Sequence, residues 1–439
     1  MLIAFRRLLG CFIAALALTG FGCSNTTSTP SPKADDKKGD PKVSEKPPEF
    51  AGDKKGVIKI VSSMPRTGSA KGQTDTIVNG IKLALEEASY KIGDFEIKYE
   101  DLDDATATAG SWDAEQETKN ANKAIGDTDV MVYIGTYNSG AAKISMPLLN
   151  KADVLMISPA NTAPGLTKPN TGAPNEPQCY RPSGKVNYFR VVPTDDIQGP
   201  VGAAWAKRIC AKLNKSRSVY ILNDSEVYGE GVAKLFKQEC EVLKVEVLGY
   251  EPIDVKAQEF KALMLKIKAK NPGLIYFGGT SQTKAGQIAK DMVAAGIDCP
   301  LMVPDGCFEQ AFIDSAGADA VNGRAYVTFG GMPVSELAKT KNGNTFIKAY
   351  EKKYGKMPEE AYSAYGYECA KVALEVIRKA GVKNREAMLW HAARVKDFDG
   401  VLGTWSFDAN GDTTLQVMSG NVVKDGKFQF AEKLELSRD

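Results

Sequence analysis

Residues 130–167 read VMVYIGTYNSGAAKISMPLLNKADVLMISPANTAPGLT, and two apolar runs within them, 130–134 and 154–157, decide the fold. Each run is short and rich in Val, Ile, Leu or Met, the pattern of a strand buried on both faces. Each ends in small polar residues: first Gly135-Thr136-Tyr137-Asn138-Ser139-Gly140, then Ser158-Pro159-Ala160-Asn161-Thr162. The segment between them is long enough for a crossover helix, although Pro147 inside it predicts a bend or a split. A strand, a helix and a second parallel strand bring both polar loops to one edge of a sheet. Open α/β sheets hold ligands at that carboxyl edge, so the two loops are expected to form half of a small-molecule site.

The same alternation extends in both directions. Before the stretch come a strand at 57–61, a loop over 62–73, a helix over 74–89, a strand at 95–99 and a helix over 111–125. After it, 168–185 is rich in Pro, Gly and Asn and reads as a surface excursion, followed by a strand at 188–192. The series then restarts, with helices over 198–213, 228–243, 257–269 and 282–295, and strands at 218–222, 245–250, 274–277, 301–303 and 324–329. Two successive series of βα units predict an α/β fold of two lobes, each with its own sheet. Three further helices (344–354, 361–380, 385–395), short strands near 403–407 and 413–418, and a hairpin through Lys424-Asp425-Gly426-Lys427 follow. This order implies that the chain returns from the second lobe to the first and back.

The amino terminus carries a basic Arg6-Arg7 pair and an apolar core over 8–18, too short for an ordinary membrane span. A signal peptide over 1–22 is expected. Gly20-Phe21-Gly22 suits ordinary cleavage, and Cys23 after Gly22 suits lipidation of that cysteine, which predicts an exported, lipid-anchored protein. The Ser/Thr/Pro/Lys/Asp/Glu composition of 23–55 predicts a flexible tether. The length beyond it suggests about two domains. A formal charge of +2 with no basic stripe excludes nucleic acid as a partner. Of eight cysteines, Cys179, Cys210, Cys240, Cys299, Cys307 and Cys369 remain in the folded part. An even set in an exported chain suggests disulfides, with buried free thiols as the alternative; no spacing suits a structural zinc site.

Catalytic chemistry has little to work with. His391 is the sole histidine and lies mid-helix, far from every polar loop. No nucleophile elbow or phosphate loop occurs, and Gly229-Glu230-Gly231 lacks the third glycine of a dinucleotide loop. The carboxylates of Asp101, Asp103 and Asp104 could attract a metal, but lack the rest of a calcium loop and suit a capped turn. Binding is better supplied. Ser139 and Gly140 begin a helix, where free N–H groups favour a carboxylate. Ala160 offers a carbonyl and Thr162 a hydroxyl. Asp224, Tyr228 and Asp305 end strands or begin helices of the second series, and Asp305 suits an ammonium group. An anion subsite on one lobe and a cation subsite on the other make a clamp for a zwitterion.

These loops, with the 190–199 segment, Asp224-Ser225-Glu226-Val227-Tyr228-Gly229-Glu230-Gly231, Gly278-Gly279 and Pro304-Asp305-Gly306, stand in the order of a known family. Together they resemble the periplasmic leucine/isoleucine/valine-binding proteins, the receptors of branched-chain amino-acid ABC importers, over nearly all of 56–439. The resemblance implies a type I periplasmic-binding-protein fold: two Rossmann-like lobes, 56–190 with 330–402 and 191–329 with 403–439. Three crossover strands would join them, near 189–192, 325–329 and 403–405. It further implies that Ser139 and Thr162 bind the ligand carboxylate. Ala160, Thr162 and Asp305 would take its amino group, and Tyr228 would close from the second lobe. Tyr137, Asn138 and Asn161 would sit beside the ligand. Lys71 stands where relatives often carry an aromatic residue, and Arg66 shares its loop, so a more polar pocket is expected. Implied too are an amino acid or similar small solute as ligand, membrane permease subunits as partners, a monomer, and neither cofactor nor metal. A sensory receptor of the same fold, signalling to a membrane partner, is the alternative.

Overall fold

In the computed structural model, residues 47–358 and 360–436 are described. The expected signal, Cys23 and most of the expected tether lie outside the described residues. The strands and helices follow in chain order. The first series comprises β1 (Gly56–Met64), α1 (Lys71–Glu87), β2 (Lys91–Ile92), β3 (Phe95–Asp103), α2 (Ala114–Gly126), β4 (Val130–Gly135), α3 (Ser139–Lys151), β5 (Leu155–Ser158) and β6 (Tyr188–Arg190). The second begins with α4 (Asp195–Lys212), β7 (Ser218–Asn223), α5 (Val227–Val242), β8 (Glu246–Pro252), α6 (Lys261–Lys270), β9 (Leu274–Gly278) and α7 (Ala285–Ala294). It continues with β10 (Leu301–Val303), α8 (Gln310–Ala316), α9 (Ala318–Val321) and β11 (Ala325–Gly330). The chain ends with α10 (Val334–Leu337), α11 (Lys341–Tyr354), α12 (Tyr362–Ala380), α13 (Arg385–Ala392), β12 (Phe398–Gly400), β13 (Gly403–Trp405), β14 (Met418–Lys424) and β15 (Lys427–Leu434).

Two sheets result, ordered β2-β3-β1-β4-β5-β6 and β15-β14-β11-β10-β9-β7-β8. Every residue of β4 and β5 is buried. The two strands pair in parallel, Val132 opposite Leu155 and Ile134 opposite Ile157, so both polar loops emerge at one edge, as expected. Helix α3 crosses between them and runs unbroken through Pro147. The expected split does not occur: proline removes one backbone donor, while buried Met146 and Leu149 on either side hold the helix against the sheet.

The first sheet is covered on both faces. Ala121 and Ala124 of α2 and Ala142 and Met146 of α3 pack with Val61 and Tyr133 on one side. On the other, α1 and α12 share a core with Ile58, Ile60 and Ile134. Those helices approach backbone to backbone: a Cβ on Gly80 would stand 2.1 Å from Ser363 O, and one on Gly366 would stand 2.2 Å from Ile77 O. The late helices thus return to the first lobe. Strand β13 pairs with β12, Phe398 opposite Trp405, and Trp405 Nε1 donates to Glu368 of α12 at 2.6 Å. The passage back to the second sheet therefore falls in 413–417, about ten residues beyond the expected crossing at 403–405. The strand expected at 413–418 gives way to β14, antiparallel to β11, because Asp412 and Thr413 are engaged in bridges to Arg190 and Phe407. Asp425 and Gly426, at φ 52° and 68°, turn β14 into β15 as the Asp-Gly pair predicts.

Two expectations change here, those for the cysteines and for the tether, while the acidic cluster at 101–104 keeps the turn reading, Asp103 accepting from Ala105 N at 2.8 Å. Cys179, Cys210, Cys240, Cys299, Cys307 and Cys369 are all free thiols, and all but the exposed Cys179 are buried. They act as small apolar side chains, Cys210 and Cys240 in one cluster and Cys299, Cys307 and Cys369 in another. The aspartates at 101–104 hold the first loop in place: Arg66 donates from Nε to Asp101 at 3.0 Å and from its backbone to Asp103 at 2.8 Å. No cluster of metal-ligating side chains occurs among the described residues. Where the structure describes the expected tether, it is fastened: Asp53 bridges Lys383, and Phe50 lies edge-on to Trp390 of α13 at 6.5 Å. No helix of the described residues is long and apolar enough to cross a membrane.

Candidate functional site

The carboxyl edges of the two sheets face each other across a cleft. One cavity there is lined by Tyr137, Asn138, Ser139, Ala160, Tyr228, Thr280, Asp305, Gly306 and Tyr362. Six of the expected residues thus come together in it: Tyr137, Asn138, Ser139, Ala160, Tyr228 and Asp305. Asn161 and Thr162 are buried beside Ala160 in the loop after β5. Lys71 is kept apart. It is the first residue of α1, its side chain is 56% exposed, and its ammonium rests 2.5 Å from Asp75.

The first-lobe side is built to receive an anion. Ser139 opens α3, and Asn138 before it makes no side-chain cap, so the first N–H groups of the helix lack partners from that cap. Ser139 Oγ accepts from Ala163 N at 3.4 Å. Asn138 Oδ1 and Thr162 Oγ1 are buried without a hydrogen-bond partner. Asn161 ties the two loops, donating from Nδ2 to Tyr137 O at 2.9 Å.

The second-lobe side is built to receive a cation. Asp305 is buried, and burial pushes its carboxyl above the usual range against the donors that surround it. Oδ1 accepts from Tyr228 at 2.5 Å and from Gln198 Nε2 at 2.6 Å; Oδ2 accepts from Tyr362. A carboxylate offers about four lone-pair sites, so Oδ2 has one left. Asp195, at the start of α4, is buried with Oδ2 unpartnered, and burial together with the Asp305 charge raises it well above the usual range. No lysine or arginine lines the cavity. Arg190 lies near enough to act on Asp195, but no cation lies among the groups that hold Asp305, and a buried carboxylate without one favours an ammonium ligand, since buried charge is stable only when paired.

Behind the first-lobe loops stands Arg190, fully buried. Its Nε donates to Asp412 at 2.6 Å, its Nη1 to Asn161 O at 3.1 Å and Ala163 O at 2.8 Å, and its Nη2 to Thr167 at 2.5 Å. The loop that carries Ala160 and Thr162 is thus held by a guanidinium fork. Burial works against the Asp412 charge, and Arg190 more than offsets it, leaving that carboxyl below its usual range.

Arg190, Asp195, Gln198, Gln73 and Tyr362 are functional neighbours that the sequence did not single out. Arg190 and Gln198 lie within the 190–199 segment, which was the available signal. Tyr362 follows Asp305 by a whole strand and several helices, and no local pattern connects them. Gln73 is two residues beyond Lys71; it accepts from Tyr137 Oη and donates to Phe308 O at 3.3 Å across the cleft.

Two α/β lobes facing across a cleft, with an anion seat on one and a carboxylate on the other, define a two-lobed solute-binding receptor. The chain belongs to the periplasmic binding protein family, whose pattern matches residues 57–427. The Leu/Ile/Val-binding protein homolog 2 of Brucella abortus is 29% identical over 381 residues, 86% of this chain and 94% of that one. The leucine-, isoleucine-, valine-, threonine- and alanine-binding protein of Pseudomonas aeruginosa is 28% identical over 81% of this chain and 87% of its own. Among solved structures, the leucine-binding protein LivK of Thermotoga maritima superposes with a TM-score of 0.74 at 25% identity, covering 86% of this chain and 99% of that one. LivJ of Streptococcus pneumoniae, in complex with isoleucine, gives 0.73 at 25% identity with the same coverage.

Proposed function

We propose that this protein is the extracytoplasmic receptor of an ABC importer, and that its lobes close on an α-amino acid. The observation that carries this reading is the placement of Asp305, buried and without a cationic side chain among its partners, opposite the uncapped start of α3. The ligand carboxylate lies on the N–H groups of α3 and the hydroxyls of Ser139 and Thr162. Its ammonium takes the spare lone pair of Asp305 Oδ2 together with the Ala160 carbonyl and Thr162 Oγ1. Tyr137, Asn138 and Asn161 flank it, and Tyr228 closes over it. The closing bodies are residues 56–190 with 330–402 and residues 191–329 with the carboxyl-terminal strands. The residues before 23 act as an export signal, Cys23 as a lipid anchor and the residues after it as a tether. The loaded monomer docks on a membrane permease, and the protein turns nothing over. The amino-acid ligands named for the Brucella, Pseudomonas, Thermotoga and Streptococcus relatives support the ligand class.

Calorimetry of the purified protein against the amino acids tests the reading; no heat from any of them would refute it. Asp305→Ala is expected to lose about 2–5 kcal/mol of binding free energy by unpairing a buried ammonium. An unchanged dissociation constant would remove the zwitterion assignment.

A further inference from the structure

We propose that Glu309 recognises the ligand's side chain, and that this side chain ends in a hydrogen-bond donor (an amide, ammonium or guanidinium N–H). This rests on the amino-acid reading above and names which amino acids the site takes.

Glu309 follows Asp305 by four residues in the same loop at the carboxyl edge of the second sheet. It is 1% exposed, and neither carboxylate oxygen has a hydrogen-bond partner. It precedes α8 without capping it. Among the described residues the one nearby donor is the Ser281 hydroxyl, which favours the charged form of Glu309 only weakly against burial and is directed to Gly306 O at 3.4 Å. A buried carboxylate with no structural partner is costly unless something else supplies a donor.

Its surroundings identify the cleft as the source of that donor. The Glu309 and Asp305 carboxylates both act on the Tyr137 hydroxyl, and Tyr137 lines the ligand cavity. Phe308, the residue before Glu309, receives Gln73 Nε2 from the first lobe, and Gln73 in turn holds the Tyr137 hydroxyl. Tyr362 stands edge-on to Tyr137 at 6.3 Å. Beyond the zwitterion clamp the cavity is lined by Tyr137 and Tyr362; Gln73 holds the Tyr137 hydroxyl from behind, and Glu309 is buried in the adjoining loop next to the Phe308 carbonyl that Gln73 meets. No leucine, isoleucine, valine or methionine lines the cavity, so a branched alkyl group would leave the Glu309 carboxylate unmet. Burial raises the Glu309 carboxyl to about 7, so a donor arriving from a ligand readily shifts it to the charged form that accepts.

The test is calorimetry of the wild-type protein and two variants with leucine, isoleucine, valine, glutamine, asparagine, lysine and arginine. At least one donor-bearing amino acid is expected to bind wild type ten times or more tightly than leucine. Glu309→Leu is expected to reduce that ratio at least tenfold. Glu309→Gln, which keeps an acceptor and loses the charge, separates the donors: a cationic ligand loses tenfold or more, an amide ligand only a few-fold. Leucine, isoleucine or valine as the tightest ligand overturns the proposal and leaves the receptor reading standing. An unchanged ratio in both variants likewise overturns it. No binding by any amino acid refutes the receptor reading itself and the proposal with it.

Discussion

Arg190 shows how much of a binding loop can hang on one side chain. Its guanidinium is fully buried and spends its donors on Asp412, Thr167 and two carbonyls of the 160–163 loop. Arg190→Met removes the charge and strands Asp412, for which a loss of about 3–5 kcal/mol in urea unfolding is expected; a loss under 1 kcal/mol would mean that the fork is dispensable. Asp305 carries a second residue-scale prediction. Burial lifts its carboxyl above the ordinary value of 3.8, and only its ionised form pairs with an ammonium. Amino-acid affinity is therefore expected to fall as pH drops through that raised value, by up to about tenfold per unit. Calorimetry over a pH series from 8 downward, as far as the protein stays folded, measures the trend, and an affinity that does not fall anywhere in the series would contradict it. That Ser139, Tyr137, Ala160, Tyr228 and Asp305 would come together in one cavity was legible in the sequence because each sits one or two residues beyond a strand end or at a helix start. Arg190 was not, because its partners Asn161, Thr167 and Asp412 are assembled only by the fold.

At the scale of elements, the β-strands were the most readable parts, since β4, β5, β7 and β9 are continuous buried runs. Helix starts were less so. Helix α1 begins at Lys71 rather than near Thr74, because Ala70 precedes it with no side-chain cap to mark the boundary. That three-residue error moved Lys71 from a solvent-facing helical turn into an imagined ligand loop, and hid Gln73 behind it. The contact between α1 and α12 was illegible for another reason: glycines in helices look like defects until the partner helix is known. Gly80→Ala puts a methyl group against Ser363 O and is expected to cost about 1–3 kcal/mol. Gly72→Ala, where nothing lies within 4 Å of the added carbon, is expected to stay within about 0.5 kcal/mol of wild type. Thermal melts of the two variants separate the cases, and equal melting temperatures would mean that the helices yield.

Across the whole molecule, charge is buried in places that set the response to pH. Glu368, which binds Trp405 Nε1 and Val401 N, is lifted by burial to about 7 against those donors. Its value in the unfolded chain is near 4.5. The folded state therefore holds this proton more tightly. The associated stability is complete below about pH 4.5 and is lost as pH rises through 7, an effect of about 3 kcal/mol. Urea unfolding at pH 5 and pH 8 is expected to show the decline, and Glu368→Gln to flatten it; an unaltered slope would place the proton elsewhere. The two lobes are tied to each other by bonds between them: Tyr362 to Asp305, Gln73 to Phe308 O, Gln310 N to Glu360 and Lys168 to Asp196.

The order in which the chain visits the two sheets has a consequence for how the protein is made. The strands of the first sheet are all present once Arg190 has been synthesised, but α12, which shields one face of that sheet, ends at Ala380. On a ribosome, the apolar side of α1 and its sheet must wait for almost two hundred further residues before its cover exists. Contacts of such separation are slow to form. The second sheet's strands β7 to β11, in contrast, lie in one uninterrupted stretch from Ser218 to Gly330. The first sheet is thus complete long before its cover exists, and its uncovered face stays open to other chains throughout that delay, while the second sheet waits only for its two edge strands, β14 and β15.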